Sequence, residues 1–118
     1  MNNKKLFSFK RKNRIKKRND FIKILKNGKI VKSKLYICRY LKNSLGYSRI
    51  GIIISKKICN SVKRNYEKRI LREFFRQNED RLMRNYDLIF TVLQCEVSFD
   101  RKKNDFEEII KIIQKNED

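Results

Sequence analysis

Residues 49–77 decide the fold, and they read RIGIIISKKICNSVKRNYEKRILREFFRQ. The first six are rich in β-branched side chains and contain an unbroken apolar run, Ile52–Ile54, which is typical of a central strand covered on both faces. From Asn60 or Ser61 to about Gln77, apolar residues recur at helical spacing. The stretch therefore predicts a strand, a short basic loop and a long helix.

The segment before this stretch predicts one helix and one or two strands. Asp20 is a candidate N-cap of a short helix that ends near Gly28. The β-rich run Leu35–Leu41 predicts a strand that forms an antiparallel pair with Arg49–Ser55, the two joined by a loop. A weaker signal at Lys29–Val31 indicates a further short strand.

The segment after the long helix predicts a strand at Asp87–Leu93 and a last helix from about Asp105 to Gln114, with Asn104 and Glu107 as a capping box. Because a helix separates this strand from the one at 50–55, we expect the two to be parallel neighbours. The order α-β-β(-β)-α-β-α predicts the α+β class, a small mixed β-sheet with helices packed on it. We expect a single domain over 1–118, with a core at 13–114 and a flexible basic arm at 1–12.

The charge of the chain indicates a polyanionic partner. Its 118 residues include 32 Lys and Arg against 13 Asp and Glu, a formal net charge of +19. Residues 1–76 hold 25 of the basic residues and only 3 of the acidic ones, whereas 77–118 are slightly acidic. A small domain that carries such self-repulsion usually binds nucleic acid. We assign that contact to the first two thirds of the chain.

Several classes of function are disfavoured by composition. The chain has no His, which removes the commonest general base and most zinc sites. Its cysteines, Cys38, Cys59 and Cys95, match neither a metal motif nor a disulfide framework, so we expect inert thiols in a reducing compartment. No secretory signal and no apolar run of membrane-spanning length is present. The sequence predicts a cytoplasmic protein with no membrane contact and no catalytic or metal-ligating residues of its own.

The long helix has a basic face of one sign. Four positive residues repeat every four positions, and two further polar residues lie beside them: Arg64, Lys68, Arg72 and Arg76, with Asn65 and Arg69. Glu67 and Glu73 fall outside this face, and an apolar stripe runs opposite it through Val62, Tyr66, Ile70 and Phe74. Like charges at this spacing cost stability unless something neutralises them. We therefore interpret the face as a surface for phosphates.

These residues resemble a known family, the protein subunit of bacterial ribonuclease P. The resemblance lies in a glycine-containing strand ending in Ser-Lys-Lys, then a loop with Asn, then Val-x-Arg-Asn-Arg-x-Lys-Arg-x-x-Arg. The chain has Gly51, Ser55-Lys56-Lys57, Asn60 and then the run from Val62 to Arg72. The opening also fits, through Asn13-Arg14-Ile15, Asp20-Phe21 and Gly28, so the match extends from about 13 to 113. The chain departs from the family at Tyr66, where Arg is usual, and at Cys59, where Gly is usual.

The resemblance implies a fold like the second domain of ribosomal protein S5 and a ribonucleoprotein enzyme. The catalytic RNA subunit holds the active site and uses Mg²⁺, bound mainly by that RNA, to remove the 5′ leader of precursor tRNA. By this resemblance, we expect the protein alone not to be catalytic and to require no protein partner. The residues carried over to RNA binding are Arg14, Lys56, Lys57, Arg64, Asn65, Lys68, Arg69, Arg72 and Arg76. Those assigned to a leader cleft between the first helix and the sheet are Phe21, Leu25, Tyr36 and Tyr40.

The residues alone leave other functions open. A ribosomal-type RNA-binding protein without a role in tRNA cleavage shares this size and charge. A protein-only nuclease would need carboxylates for Mg²⁺, and the basic part offers only Asp20, Glu67 and Glu73. A reader of duplex DNA would need a second reading element or a dimer, for which the sequence gives no sign.

Overall fold

The computed structural model describes residues 10–82 and 84–117, and its elements follow the predicted order. They are α1 (Arg18–Asn27), β1 (Lys29–Lys32), β2 (Tyr36–Lys42), β3 (Arg49–Ile54), α2 (Ser61–Asn78), β4 (Tyr86–Val92) and α3 (Phe99–Asn116). Short 3₁₀ turns lie at Arg11–Asn13 and Glu79–Arg81. The α+β class is confirmed, and so is the weakly predicted β1. Most of the predicted basic arm at 1–12 lies outside the described residues.

The four strands form one mixed sheet in the order β1-β2-β4-β3. The predicted parallel pairing of β3 with β4 is confirmed. The predicted antiparallel pair of β2 and β3 is wrong, because β4 lies between them and β2 pairs with β1 and β4. β3 is therefore an edge strand: Ile52–Ile54 are only half-buried, whereas Leu88, Ile89 and Phe90 of the central β4 are fully buried.

The segment before α1 covers part of the free edge of β3. The backbone N–H of Ile15 donates to the carbonyl oxygen of Ile50 at 3.0 Å. Unpaired edge strands tend to recruit other strands, and a partial cover of this kind limits that tendency. The contact also places Arg14 next to the edge of the sheet, where it lines a groove together with residues of α2.

The strand register assigns every side chain to one of two faces of the sheet. On β2, Tyr36, Cys38 and Tyr40 lie on the face covered by α2 and α3, which we call the core face. Ile37, Arg39 and Leu41 alternate with them and lie on the face that carries α1, which we call the cleft face. The two faces differ greatly in what covers them.

The core face holds the main hydrophobic core. Two aromatic rings stack at its centre, Phe90 of β4 and Phe106 of α3, with ring centroids 4.8 Å apart. Phe74 of α2 packs against Phe106 at 5.5 Å, and Tyr36 meets Phe90 edge to face at 5.8 Å. The cleft face has a much smaller cluster built on Ile15, Ile24 and Ile89.

The helix starts agree only in part with the sequence. α2 begins at Ser61, within the predicted range, and the Asn60 side chain caps it by accepting from the Lys63 N–H at 2.9 Å. α3 begins at Phe99, six residues before the predicted start, because Ser98 is its N-cap. Asp105 instead accepts from the backbone N–H of Leu35 at 3.2 Å. Asp20 is not a cap either, since α1 begins at Arg18 and the Asp20 carboxylate faces Arg49.

Two cysteines predicted to be inert thiols are joined in the structure. Cys59 and Cys95 form a disulfide with a Cα–Cα distance of 5.9 Å. β3 and β4 are parallel neighbours, so the loops after them emerge at the same edge of the sheet and bring the two residues together. Cys38 is a buried free thiol whose pKa is raised by burial. No helix among the described residues is long and apolar enough to cross a membrane.

Candidate nucleic-acid interface

A groove of about 750 Å³ lies between the outward face of α2, the segment before α1 and the start of α3. Its lining includes five of the predicted RNA-binding residues: Arg14, Asn65, Lys68, Arg69 and Arg72. The rest of the lining is Tyr66, Ile70, Glu73 and Phe99. Burial and the nearby Arg14 charge lower the pKa of the Arg72 guanidinium. The groove therefore concentrates positive charge beside two exposed aromatic rings.

The other predicted RNA-binding residues lie outside this groove. Lys56 and Lys57 are exposed in the loop between β3 and α2. The Arg64 guanidinium donates to the carbonyl oxygen of Cys59 at 2.8 Å, so it holds that loop against the start of α2. Arg76 pairs with Glu73 one turn earlier, at 2.8 and 2.5 Å, and this pairing lowers the pKa of Glu73.

The apolar stripe predicted for α2 is buried only in its second half. Val62 is 77% exposed and Tyr66 is 48% exposed, whereas Ile70 and Phe74 are buried. All buried residues of α2 lie at or after Glu67, so the first turns of the helix extend past the core. Of the two exposed residues of the stripe, Tyr66 lines the groove and Val62 lies outside its lining.

A buried ion pair lies beneath the exposed part of α2. The carboxylate of Glu67 pairs with the ammonium of Lys102 on α3, and both side chains are almost fully buried. The Lys102 nitrogen also lies 5.5 Å from the centroid of the Tyr66 ring. The helical spacing correctly placed Glu67 outside the basic face. It could not indicate the partner, because Lys102 lies 35 residues away on another helix.

The predicted leader-cleft residues of α1 lie on the cleft face. The half-buried ring of Phe21 packs on Gly51, where a Cβ would lie only 2.6 Å from the ring Cζ. Leu25 is 39% exposed on the same helix. Beside them lies a row of four side chains, one from each strand, which the strand register aligns. All four are exposed or half-buried: Lys32, Ile37, Thr91 and Ile53.

Tyr36 and Tyr40 do not belong to this cleft, which contradicts the expectation that either offers a stacking platform. Both are buried on the core face, where Tyr36 packs on Phe90 and Tyr40 on Tyr86. Burial raises the pKa of Tyr36, with a further contribution from Glu67. Strand alternation correctly placed the two tyrosines on one face, but it did not indicate which face the larger helices cover.

An ionic cluster that the sequence did not reveal joins α1 to the sheet. Arg49 of β3 donates to both carboxylate oxygens of Asp87 on β4, at 2.9 and 2.7 Å. A third donor on Arg49 reaches Asp20 of α1 at 3.3 Å. The hydrogen bonds to Asp87 are the main reason that the pKa of Arg49 is raised. The only sequence signal was that Asp20 is one of three acidic residues among the first 76.

The fold and the groove together define a small basic α+β domain of the RNA-binding class. Its long helix α2 follows the edge strand β3 and presents a mainly basic face in the groove, where Glu73 is the one acidic residue among the described ones that line it. Comparison with known proteins makes the assignment specific. The sequence model of the ribonuclease P family matches residues 9–114. The chain belongs to the ribonuclease P protein family.

Individual relatives agree with this assignment. The ribonuclease P protein component of Thermotoga maritima is 37% identical over 82 residues, covering 70% of each chain. That of Syntrophus aciditrophicus is 39% identical over 85 residues, covering 72% of this chain and 71% of the relative. The solved structure of the Staphylococcus aureus protein superposes with a TM-score of 0.79 at 32% identity, covering 85% of this chain and 94% of that one. These findings do not favour the ribosomal-type alternative.

Proposed function

We propose that this chain binds the catalytic RNA of ribonuclease P through the groove and so assists removal of the 5′ leader from precursor tRNA. The observation that supports this is the convergence of Arg14, Lys68, Arg69 and Arg72, with Glu73 as the only acidic residue among the described ones that line the groove. Phosphates placed there would relieve the repulsion and release counterions. We expect the affinity for RNA to fall with salt, with a log–log slope of roughly −4.

In this proposal the active site and its Mg²⁺ belong to the RNA. The carboxylates nearest the groove already face cations of the chain, Glu67 facing Lys102 and Glu73 facing Arg76. Mg²⁺ prefers unshared carboxylate oxygens and water, so these residues do not fit a protein-held site. The protein contributes positive charge between two RNAs, which offsets phosphate repulsion and lowers the Mg²⁺ concentration that the RNA needs.

We assign the leader to the cleft face beside α1. Phe21 and Leu25 lie there beside a half-open row of mixed apolar and polar side chains, which suits an unpaired RNA strand better than the closed core face. Only precursor tRNA carries a leader, so this contact would favour precursor over mature tRNA. Lys32 and Arg39 on the same face supply charge for the leader backbone.

The decisive experiment is cleavage of precursor tRNA at low Mg²⁺ by a bacterial ribonuclease P RNA. The reaction is run with the RNA alone, with the protein alone and with both. We expect leader removal only when both are present. Cleavage by the protein alone would mean that the active site is in the protein. Tight RNA binding with no effect on cleavage would instead favour a ribosomal-type RNA-binding protein without a role in tRNA cleavage.

The groove is tested by Arg69→Ala, since Arg69 is exposed and lines it. Loss of one phosphate contact should reduce the magnitude of the salt slope by about 0.7–0.9 and weaken RNA binding at low salt. The matched control is Lys111→Ala, an exposed cation on α3 outside the groove lining. Equal effects of both substitutions would show that only net charge matters.

The cleft is tested by Phe21→Ala. We expect the affinity for precursor tRNA to fall toward that for mature tRNA, because a ring in the leader cleft is lost. Assembly on the catalytic RNA should be unchanged, because Phe21 lies on the face that carries α1 and not in the groove. Binding of the two tRNAs to the assembled holoenzyme is the measurement. A loss of holoenzyme assembly equal to that of Arg69→Ala would contradict the separation of the two surfaces.

A further inference from the structure

Two aromatic side chains stand out in the groove because they are exposed. Tyr66 is 48% exposed and Phe99 is 50% exposed, and both line the groove. Among residues 10–82 and 84–117 no other aromatic side chain is as exposed. Exposed apolar side chains that line one groove commonly mark a binding site.

Both rings are held in place by the protein interior. The ring of Phe99 packs against the buried Phe74 at a centroid distance of 5.3 Å. Tyr66 lies over the ammonium of Lys102, which is buried and fixed by its pair with Glu67. A ring that is already ordered loses little conformational freedom when a ligand stacks on it.

The surroundings of the rings have the chemistry of single-stranded nucleic acid recognition. Arg69 and Arg72 provide guanidinium groups for phosphates, and Asn65 provides an amide for a base edge. Aromatic rings beside a cationic track are the usual means of holding unpaired bases. An acidic peptide would satisfy the arginines but would leave the rings without a flat partner.

We propose that Tyr66 and Phe99 form a stacking site for an unpaired base of the RNA that binds the groove. This inference rests on the proposed RNA binding and adds a site within it. It also accounts for Tyr66, which replaces an Arg of the family motif: the chain exchanges a phosphate contact for a base contact. Base stacking does not involve counterion release, so its contribution to affinity is independent of salt.

The test is binding of the full chain to a bacterial ribonuclease P RNA over a range of KCl concentrations. Tyr66→Ala should weaken binding about 5- to 150-fold at every salt concentration, with the slope unchanged. Tyr66→Phe keeps the ring and should restore most of the affinity. Phe99→Leu keeps the apolar contact with Phe74 but lacks a flat ring, so it should also weaken binding. The matched control is Val62→Ala, an exposed apolar residue one turn earlier, which should change affinity less than 2-fold.

A direct readout of stacking is available because the chain has no Trp. Tyr66→Trp introduces one indole in the groove, and RNA should quench its fluorescence. Ile112→Trp places an indole on the exposed side of α3, away from the groove lining, and should not be quenched. Equal quenching of Tyr66→Trp by polyglutamate would show a general anion site and overturn the proposal.

The outcomes separate this inference from the proposed function. If the unchanged protein binds the RNA with a steep salt slope but Tyr66→Ala binds equally well, the stacking site is refuted and the RNA-binding function stands. A salt slope that falls with Tyr66→Ala as it does with Arg69→Ala would also refute stacking. If the unchanged protein does not bind the RNA at all, both proposals fail.

Discussion

The two faces of the sheet differ in what they bury and in what they leave open. The core face is covered by α2 and α3 and is filled with aromatic rings, among which Phe90 and Phe106 are fully inaccessible. In the described part of the chain, the cleft face carries α1, a small cluster built on three buried isoleucines, and the ionic cluster around Arg49. Stability is therefore concentrated on one face, and the other can present side chains to a ligand without a large loss of packing.

The largest expected effect is on the core face. Phe106→Ala should lower the free energy of unfolding by about 3–5 kcal/mol, since it removes a fully buried ring from the centre of the core. Ile37→Ala, on the half-open row of the cleft face, should cost about 1 kcal/mol or less. Urea unfolding measures both. Equal losses would show that the two faces share the stability evenly.

A smaller effect is expected from the ionic group that joins α1 to the sheet. Arg49→Met leaves the largely buried Asp87 carboxylate without its cation and should destabilise the fold by about 2–3 kcal/mol. Arg39→Met, at a half-buried position on the same face, should change stability by about 0.5 kcal/mol or less. Thermal unfolding of both variants provides the comparison, and a loss for Arg39→Met as large as that for Arg49→Met would contradict it.

Alkaline pH should destabilise the core face through two buried acidic groups. Burial raises the pKa of Cys38 from its ordinary 9.0 and of Tyr36 from its ordinary 10.0, so the folded state keeps protons that the unfolded state releases. Stability should therefore fall as pH rises above about 9, by about 1.4 kcal/mol per pH unit for each group. Cys38→Ala should move the onset to near pH 10. Unfolding free energies between pH 8 and 11 test this, and an unchanged onset would exclude Cys38 as its source.

The smallest effect on stability is expected at the contact between α1 and β3. In Gly51→Ala the new methyl group meets the far end of the Phe21 side chain, so the ring must shift. We expect a change of about 1 kcal/mol or less in stability but a measurable change in the preference for precursor tRNA. Unchanged tRNA preference in a correctly folded variant would show that the ring position does not matter to the leader.

Local sequence patterns predicted the elements well and their arrangement less well. The order of helices and strands, the start of α2 and the parallel pairing of β3 with β4 were readable, because each depends on spacing or on one connection. The position of β4 between β2 and β3 could not be read from the sequence, because it depends on which strand gains most from burial on both faces. The start of α3 was missed because the capping signal at Asn104 is as strong locally as the one at Ser98.

The candidate site divides in the same way. The basic positions of α2 were readable from their four-residue repeat, and five of the predicted residues do line one groove. The exposure of Tyr66 could not be read from the sequence, since an apolar stripe on a helical wheel does not reveal where the core beneath it ends. Phe99 carried no signal, because it enters the groove only through the crossing of α3 beside α2.

The central position of β4 also determines when the domain can fold. β2 and β3 both hydrogen-bond to β4 and not to each other, so before residues 86–92 are available only the β1–β2 hairpin can form. Until β4 has been synthesised, β3 therefore lacks its only neighbouring strand among the described residues, and the apolar half of α2 lacks the sheet on which it packs. Truncations that end before Tyr86 should leave β3 without a sheet neighbour. We therefore expect the sheet to be completed late, once the residues of β4 are available, because its key contacts are distant in sequence.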